Sequence, residues 1–551
     1  YKILSYQINC NKSLKQVLDW KYPHLSSNII PNLKKLFKKY SELKIQNNVV
    51  DFDDLLVIWN KILDEKAIAE KIAEEVKFVL VDEYQDTNFL QAEIIFKIAK
   101  LNNNIMVVGD DAQSIYGFRG SNFKNLLNFN KNFKNVKKYE ITSNYRSTPE
   151  ILDLANDSIK HNEIQFQKKM TPIRQNYKKP IWIIINDDKE QADYIVNEIL
   201  RFQKNSTPLS KIAVLYRSNY NSLRLQQELQ ANGIPFEVRS GVSFFEQSHI
   251  KDIISHLKII HNPRNQLAWN RIFSIIPGIG SVNAKKILDN ITSFKNPLKE
   301  LTNINIFHSK LNEIKISKKA KNNIIQYLNK IKKFNLKSKP ALMLETINNL
   351  ITSHLKEKFE NYEEKLKDIN AIKDFALEFN SIGEFLDKLN LITPEISQNI
   401  DLMSKMENKT KLERLILSTI HKAKGLEWDN VFIISLCESL FPSQKNSKTK
   451  SDIEEERRIF YVALTRSRNR LYLLTPKSIQ PYKGMNLLKP SRFITELNDS
   501  SYEVIDFSND LYEESKFQFE QELSKKNNSK RQKKSYLPQF ISADKLIKNK
   551  D

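Results

Sequence analysis

At 551 residues the chain is long enough for three or four domains of roughly 150 residues each, which excludes a small disulfide-stapled or peptide-like protein. Hydrophobic residues make up 40% and charged residues 28%, and no apolar run approaches the ~18 residues of a membrane span, so no membrane partner is expected. Lys and Arg number 87 against 65 Asp and Glu, and the resulting +22 suits a polyanionic partner such as nucleic acid, although a Lys-, Asn- and Ile-rich composition of the kind AT-rich coding produces accounts for part of it. Cys10 and Cys437 are far apart and lack neighbouring His, so neither a disulfide framework nor a zinc site is expected, and a reducing, cytoplasmic setting fits. The first residues, from Tyr1, have neither the charged start nor the apolar core of a signal peptide; they read as a fragment or as a chain numbered after missing residues.

Short apolar runs ending in polar residues recur along the chain: Phe78 to Val81 before Asp82, Ile105 to Val108 before Gly109, Ile212 to Tyr216 before Arg217, and Val431 to Ile434. Alternating with helical stretches, such runs predict buried parallel strands and an α/β class, with ligands bound just past the strand ends. Between about 240 and 408 the spacing of Leu, Ile and Phe turns helical and predicts a helical insertion. After about 500 the sequence becomes polar and ends in a basic run from Lys525 to Lys534, a composition too poor in apolar residues to order itself, so a disordered tail is expected.

The strongest local pattern is Val79-Leu80-Val81-Asp82-Glu83-Tyr84-Gln85-Asp86, a strand delivering two adjacent carboxylates. In a nucleotide hydrolase the first, Asp82, holds Mg²⁺ and the second, Glu83, orients or deprotonates the attacking water; taken on its own, such a pair is more often a plain acidic turn after a strand. The run Val107 to Gly120 is again a strand and a polar loop, with Gln113 placed to sense a terminal phosphate and with Tyr116 and Phe118 offering flat faces to the bases of a single strand, or else packing in a core. Three more segments follow: Thr142-Ser143-Asn144-Tyr145-Arg146-Ser147-Thr148, Ser418 to Glu427, and Glu455 to Arg466.

In sequence, order and spacing these five segments resemble motifs II to VI of the superfamily 1 DNA helicases of the UvrD, Rep and PcrA type, and the resemblance runs from about residue 49 to 500. The related helicase-nucleases carry a nuclease domain for which the tail leaves no room. The resemblance implies two RecA-like parallel-sheet motor domains, the first incomplete, with a largely helical insertion in the second. Residues 1–48 would be a remnant of a helical insertion of the first motor domain, 49–140 that domain itself, 141–239 and 409–500 the second, 240–408 its insertion, and 501–551 a basic tail able to dock a partner protein. It implies ATP and Mg²⁺ as cofactors and single-stranded DNA and single/double-strand junctions as partners. Translocation would run 3′ to 5′, in repair or replication restart.

Site roles carry over in the same way. Asp82 would coordinate Mg²⁺, Glu83 would activate water, Gln113 would report the γ-phosphate, Tyr145 would stack on adenine, and Glu427 would contact the ribose. Arg146 and Arg466 would be paired arginine fingers, cations that stabilise charge on the transferring phosphoryl group from across a cleft. Tyr116, Phe118, Arg119 and His421 would line the single strand. In the insertion, Gly278 and Gly280 precede a helix start and either bring backbone N–H groups to a phosphate of duplex DNA or form a plain tight turn.

One departure stands out. Such a helicase needs a G-x-x-x-x-G-K-[ST] loop, yet none of the ten glycines is followed by Lys. The expectation is that the amino-terminal segment carrying this loop is lacking, that the first sheet exposes apolar surface and unpaired backbone, and that the isolated chain does not hydrolyse ATP. A non-catalytic DNA-binding remnant, or one half of a split helicase, is the alternative.

Overall fold

The computed structural model describes residues 1–507 apart from 23–24, 26, 134, 240–243, 277, 280, 293–316, 360–361, 393–412, 445–446, 448 and 480–485. Gly280 and the basic run of the tail therefore lie outside the described residues.

Three helices, Lys2–Cys10, Leu14–Lys21 and Ile30–Gln46, open the chain around a small core of Leu14, Val17, Leu18 and Tyr22. The second starts at Ser13 because a reciprocal cap satisfies its first turn: the Ser13 hydroxyl accepts from the Gln16 N–H, and the Gln16 side chain accepts from the Ser13 N–H. Asp51 starts the helix Phe52–Ile62 in the same manner, with Lys44 Nζ 2.7 Å from Asp51 and 2.6 Å from Asp54. Strands β1 (Val79–Val81) and β2 (Ile105–Val107) then pair in parallel. Leu80 and Met106 stand opposite each other in register and are 75% and 58% exposed. Phe78, two residues before Leu80 and so on the same face, is exposed as well, and this two-stranded sheet presents an open apolar face.

A short parallel pair, β3 (Ser143–Asn144) with β4 (Thr171–Pro172), leads into the second sheet. Its strands are β5 (Ile181–Ile185), β6 (Ile212–Tyr216), β7 (Phe236–Arg239), β8 (Leu415–Thr419), β9 (Trp428–Ile433) and β10 (Ser467–Pro476). A hairpin of β11 (Ser478–Ile479) and β12 (Asn486–Leu487) precedes the last strand, β13 (Glu503–Asp506). The order is β13-β5-β10-β9-β6-β8-β7 and every neighbouring pair is parallel, which bears out the α/β class and the parallel sheet expected from the sequence. Ile212 to Tyr216 are all fully buried because both faces are covered: Ala213 and Leu215 pack with Leu154 and Phe460 on one side, and Ile212, Val214 and Tyr216 with Ile195 and Ile199 on the other.

Between β7 and β8 the described residues form helices from Ser248 to Ile392 with their own apolar cores, the helical insertion expected there. The expected tail needs correcting. Residues 503–506 pair with β5, Glu503 opposite Ile181, and are anchored by Tyr502 against Trp182 at 5.7 Å and by the Phe507 N–H on the Ile184 carbonyl, so the sheet runs past residue 500. As an edge strand with exposed side chains, this segment has no apolar run to announce it.

The two sheets should respond differently to the same truncation. Leu215→Ala is expected to cost about 2–5 kcal/mol and Leu80→Ala about 0.5 kcal/mol or less, read as shifts of the urea midpoint; equal shifts would show that the open face is covered in solution.

Candidate functional site

β1 and β2 end at the same edge of their sheet, and the loops that follow are fastened to each other. The Tyr84 N–H donates to the Val108 carbonyl at 2.9 Å, and this turn puts Glu83 at φ 51, in the left-handed region. Asp82 Oδ1 accepts from the Glu83 N–H at 2.8 Å, and the side chains of both acids remain exposed. Behind them lies Gln85, fully buried; its Nε2 donates to Glu83 and its Oε1 accepts from the Asp110 N–H at 3.0 Å. Gly109 makes this possible, since a Cβ there would come within 2.5 Å of Gln85 Oε1. Gln113 is held by Asp110, whose Oδ2 accepts from Gln113 Nε2 at 2.7 Å.

The second sheet supplies the facing wall. Lys424, just past β8, reaches Asp86 Oδ2 at 2.5 Å, Glu83 Oε2 at 3.3 Å and the Gln113 carbonyl at 2.8 Å. Burial pushes the Asp86 carboxyl above its ordinary range and outweighs the Lys424 ammonium beside it. Lys168 pairs with Asp110 and lies 3.1 Å from Asp111. Burial disfavours its charge, but Asp110 and Asp111 outweigh this and hold the ammonium above its usual range.

Arg146 donates from Nε to Glu427, which also accepts from Arg468 at 2.8 Å; the bond from Arg146 first, then its charge, keeps the Glu427 carboxyl low. Tyr145 is 72% exposed beside them. Arg466 is placed differently. It is 1% exposed, and its guanidinium donates to the carbonyls of Val462 (2.9 Å) and Leu426 (3.1 Å) and to the Thr465 hydroxyl (3.0 Å). Burial, and then Arg146 nearby, lower it to about 10.

Tyr116, Phe118 and Arg119 from the first sheet meet His421 from the second. Ring centroids are 6.2 Å apart for Tyr116 and Phe118 and 5.5 Å for Phe118 and His421, with Arg119 5.4 Å from the Phe118 ring. The Tyr116 hydroxyl donates to the His421 carbonyl at 3.1 Å, and Lys424 Nζ is 5.3 Å from the Tyr116 ring. Gly278 stands apart from this group, in the helical insertion. It has φ 88, and a Cβ on it would lie 3.3 Å from Ala320, so packing within the insertion accounts for the glycine.

The structure thus gathers Asp82, Glu83, Gln113, Tyr145, Arg146 and Glu427 at the facing edges of two sheets, with the aromatic group alongside. Sequence reasoning gave no role to Gln85, Lys168 or Lys424. Gln85 and Lys424 sit inside the recognised motifs, whereas Lys168 belongs to an unremarkable Lys168-Lys169 pair.

Residues 5–134 match the family model of the UvrD/REP helicase N-terminal domain and residues 139–478 that of the UvrD-like helicase C-terminal domain. The chain is 31% identical over 514 residues to a probable DNA helicase II homolog of Mycoplasma capricolum, covering 89% of this chain and 69% of that protein. It is 32% identical over 496 residues to an ATP-dependent DNA helicase Rep of Buchnera aphidicola, covering 87% and 74%. Against an ATP-dependent DNA helicase PcrA of Staphylococcus epidermidis the identity is 29% over 474 residues, covering 84% of this chain and 64% of that one. Two family models meeting end to end across the two sheets, and relatives aligned along most of the chain, show that this protein belongs to the UvrD/Rep family of helicases.

Proposed function

We propose that the chain is the greater part of an ATP-dependent DNA helicase that moves 3′ to 5′ along single-stranded DNA and acts at single/double-strand junctions in repair or replication restart. The observation that carries the reading is the meeting of Tyr116, Phe118 and Arg119 with His421 beside the loops of Glu83 and Gln113. Aromatic faces from both sheets then take bases without regard to sequence, next to groups that act on a nucleotide. On this reading Tyr145, exposed at the cleft, stacks on adenine and Glu427 holds the ribose. Arg146 faces the phosphates, with Arg466, expected to be its partner finger, buried behind it and acting through its charge; Gln113 senses the last phosphate, and Glu83 takes a proton from the attacking water.

Asp82 offers an exposed carboxylate, and among the described residues no cluster of three or more His, Cys, Asp or Glu is placed to hold a metal. That donor set fits Mg²⁺ taken up through one carboxylate with the remaining positions left to phosphates and water, where the ion would neutralise developing charge. Residues 508–551, outside the described part, supply a basic segment for DNA or a partner protein.

A second reading is favoured by two observations. No glycine of the sequence is followed by Lys, and β1 and β2 leave an open apolar face. The phosphate-cradling loop and its strand then come from polypeptide outside the 551 residues, or the chain acts as a DNA-binding remnant.

Four measurements test these readings. Phe118→Ala should weaken binding of oligo-dT about 5- to 150-fold by fluorescence anisotropy, the range expected from ~1–3 kcal/mol per stacked base, and an unchanged isotherm would remove the strand groove; removal of 520–551 should flatten the salt dependence between roughly 50 and 200 mM, and an unchanged dependence would make the tail a bystander. The 551-residue chain should release no phosphate from ATP with oligo-dT present, and robust turnover would refute the need for outside polypeptide. Burial, then Arg217 and Arg119, hold His421 at about 3 against 6.5 when free, so the unfolded chain binds the proton first and this contribution to stability is lost as pH falls from about 6.5 toward 3. His421→Asn should therefore lose less urea resistance than the wild type between pH 7.5 and 5; equal losses would mean the ring is solvated.

A further inference from the structure

Lys168 and Lys424 both come from the second sheet's domain, and both spend their charge on loops of the first. Lys424 is 7% exposed in its side chain; it donates to Asp86 and to the Gln113 carbonyl and lies 3.3 Å from the Glu83 carboxylate. Lys168 is 19% exposed and pairs with Asp110. From Asp110 a continuous line of bonds leads in two directions. Its carboxylate accepts from Ala112 N–H at 3.0 Å and Gln113 Nε2 at 2.7 Å; its own N–H donates to Gln85, which donates onward to Glu83. An ammonium largely shielded from water is tolerated only while its partners stay in place, so each lysine and its partners hold one another.

We propose that Lys168 and Lys424 are positioning residues that set Glu83 and Gln113 from across the cleft, so that the water-activating carboxylate and the phosphate-sensing amide are arranged only while the two motor domains are apposed. The roles of Glu83 and Gln113 rest on the helicase reading; the tethering does not. Closure would then act on the hydrolytic groups directly, without the nucleotide as intermediary.

Amide hydrogen exchange of the 551-residue chain, read by mass spectrometry without nucleotide, tests this. In Lys424→Met and in Lys168→Met, peptides over 83–87 and 110–116 should exchange about tenfold faster or more while 212–216 is unchanged. Lys→Arg at each position should restore protection, which a role in filling space would not require. Lys168→Gln and Lys424→Gln, which keep a donor and drop the charge, should behave as the Met variants do. No acceleration at 83–87, or acceleration that reaches 212–216 in both the Met and Gln variants, would overturn the proposal. Oligo-dT binding by the same samples separates the two ideas: wild-type protein that fails to bind overturns the helicase reading, whereas intact binding with unchanged exchange overturns the tethers alone.

Discussion

The carboxamide of Gln85 is the point on which the site depends. It is fully buried with both ends committed, one to Glu83 and the other to the Asp110 N–H, so it welds the loop after β1 to the loop after β2. Losing it would leave a buried N–H unsatisfied, at a cost of about 1–3 kcal/mol, and would release the two loops from each other. The weld also explains how a glutamate keeps a left-handed backbone, a conformation costing of order 1–3 kcal/mol that survives only where surroundings over-determine it. Around Glu83 those surroundings are the Tyr84 N–H on Val108, the Asp86 N–H on the Glu83 carbonyl, and Gln85 itself.

The two sheets achieve rigidity by different means. The second buries both faces of its central strands and needs no help; the first has a small core of Leu63, Leu90 and Ile94 and an open face. Beyond the Gln85 weld, its loops are also held from across the cleft, where Arg458 lies 4.0 Å from the Phe123 ring and Tyr116 bonds to the His421 backbone. A site held in part from the opposite domain is sensitive to that domain's position.

How much of this could be read in advance follows from where the information lies along the chain. β1, β2, β6 and the core of β9 are continuous apolar runs, and the site acids, Gln113 and the aromatics belong to short motifs whose parts lie within one loop. β10 escaped because it opens on Ser467-Arg468-Asn469-Arg470, and β13 because an exposed edge strand needs no apolar alternation. The roles of Lys168 and Lys424 were illegible for another reason. Their partners are 58 and 338 residues away, and one lysine among 87 basic residues carries no mark of the carboxylate it will meet.

The two arginines show the same limit, and the structure separates them. Arg146 and Glu427 are both about one-third exposed, and an ion pair of that kind is worth about 0–1 kcal/mol, so a phosphate on one and a ribose on the other could replace the pairing at little cost. Arg466 is buried with three bonds to the backbone and hydroxyl around it, and extracting it would strand those acceptors. Of the two, Arg146 is therefore the arginine whose present pairing can be exchanged at little cost. Arg466 is a fixed part of the wall behind it.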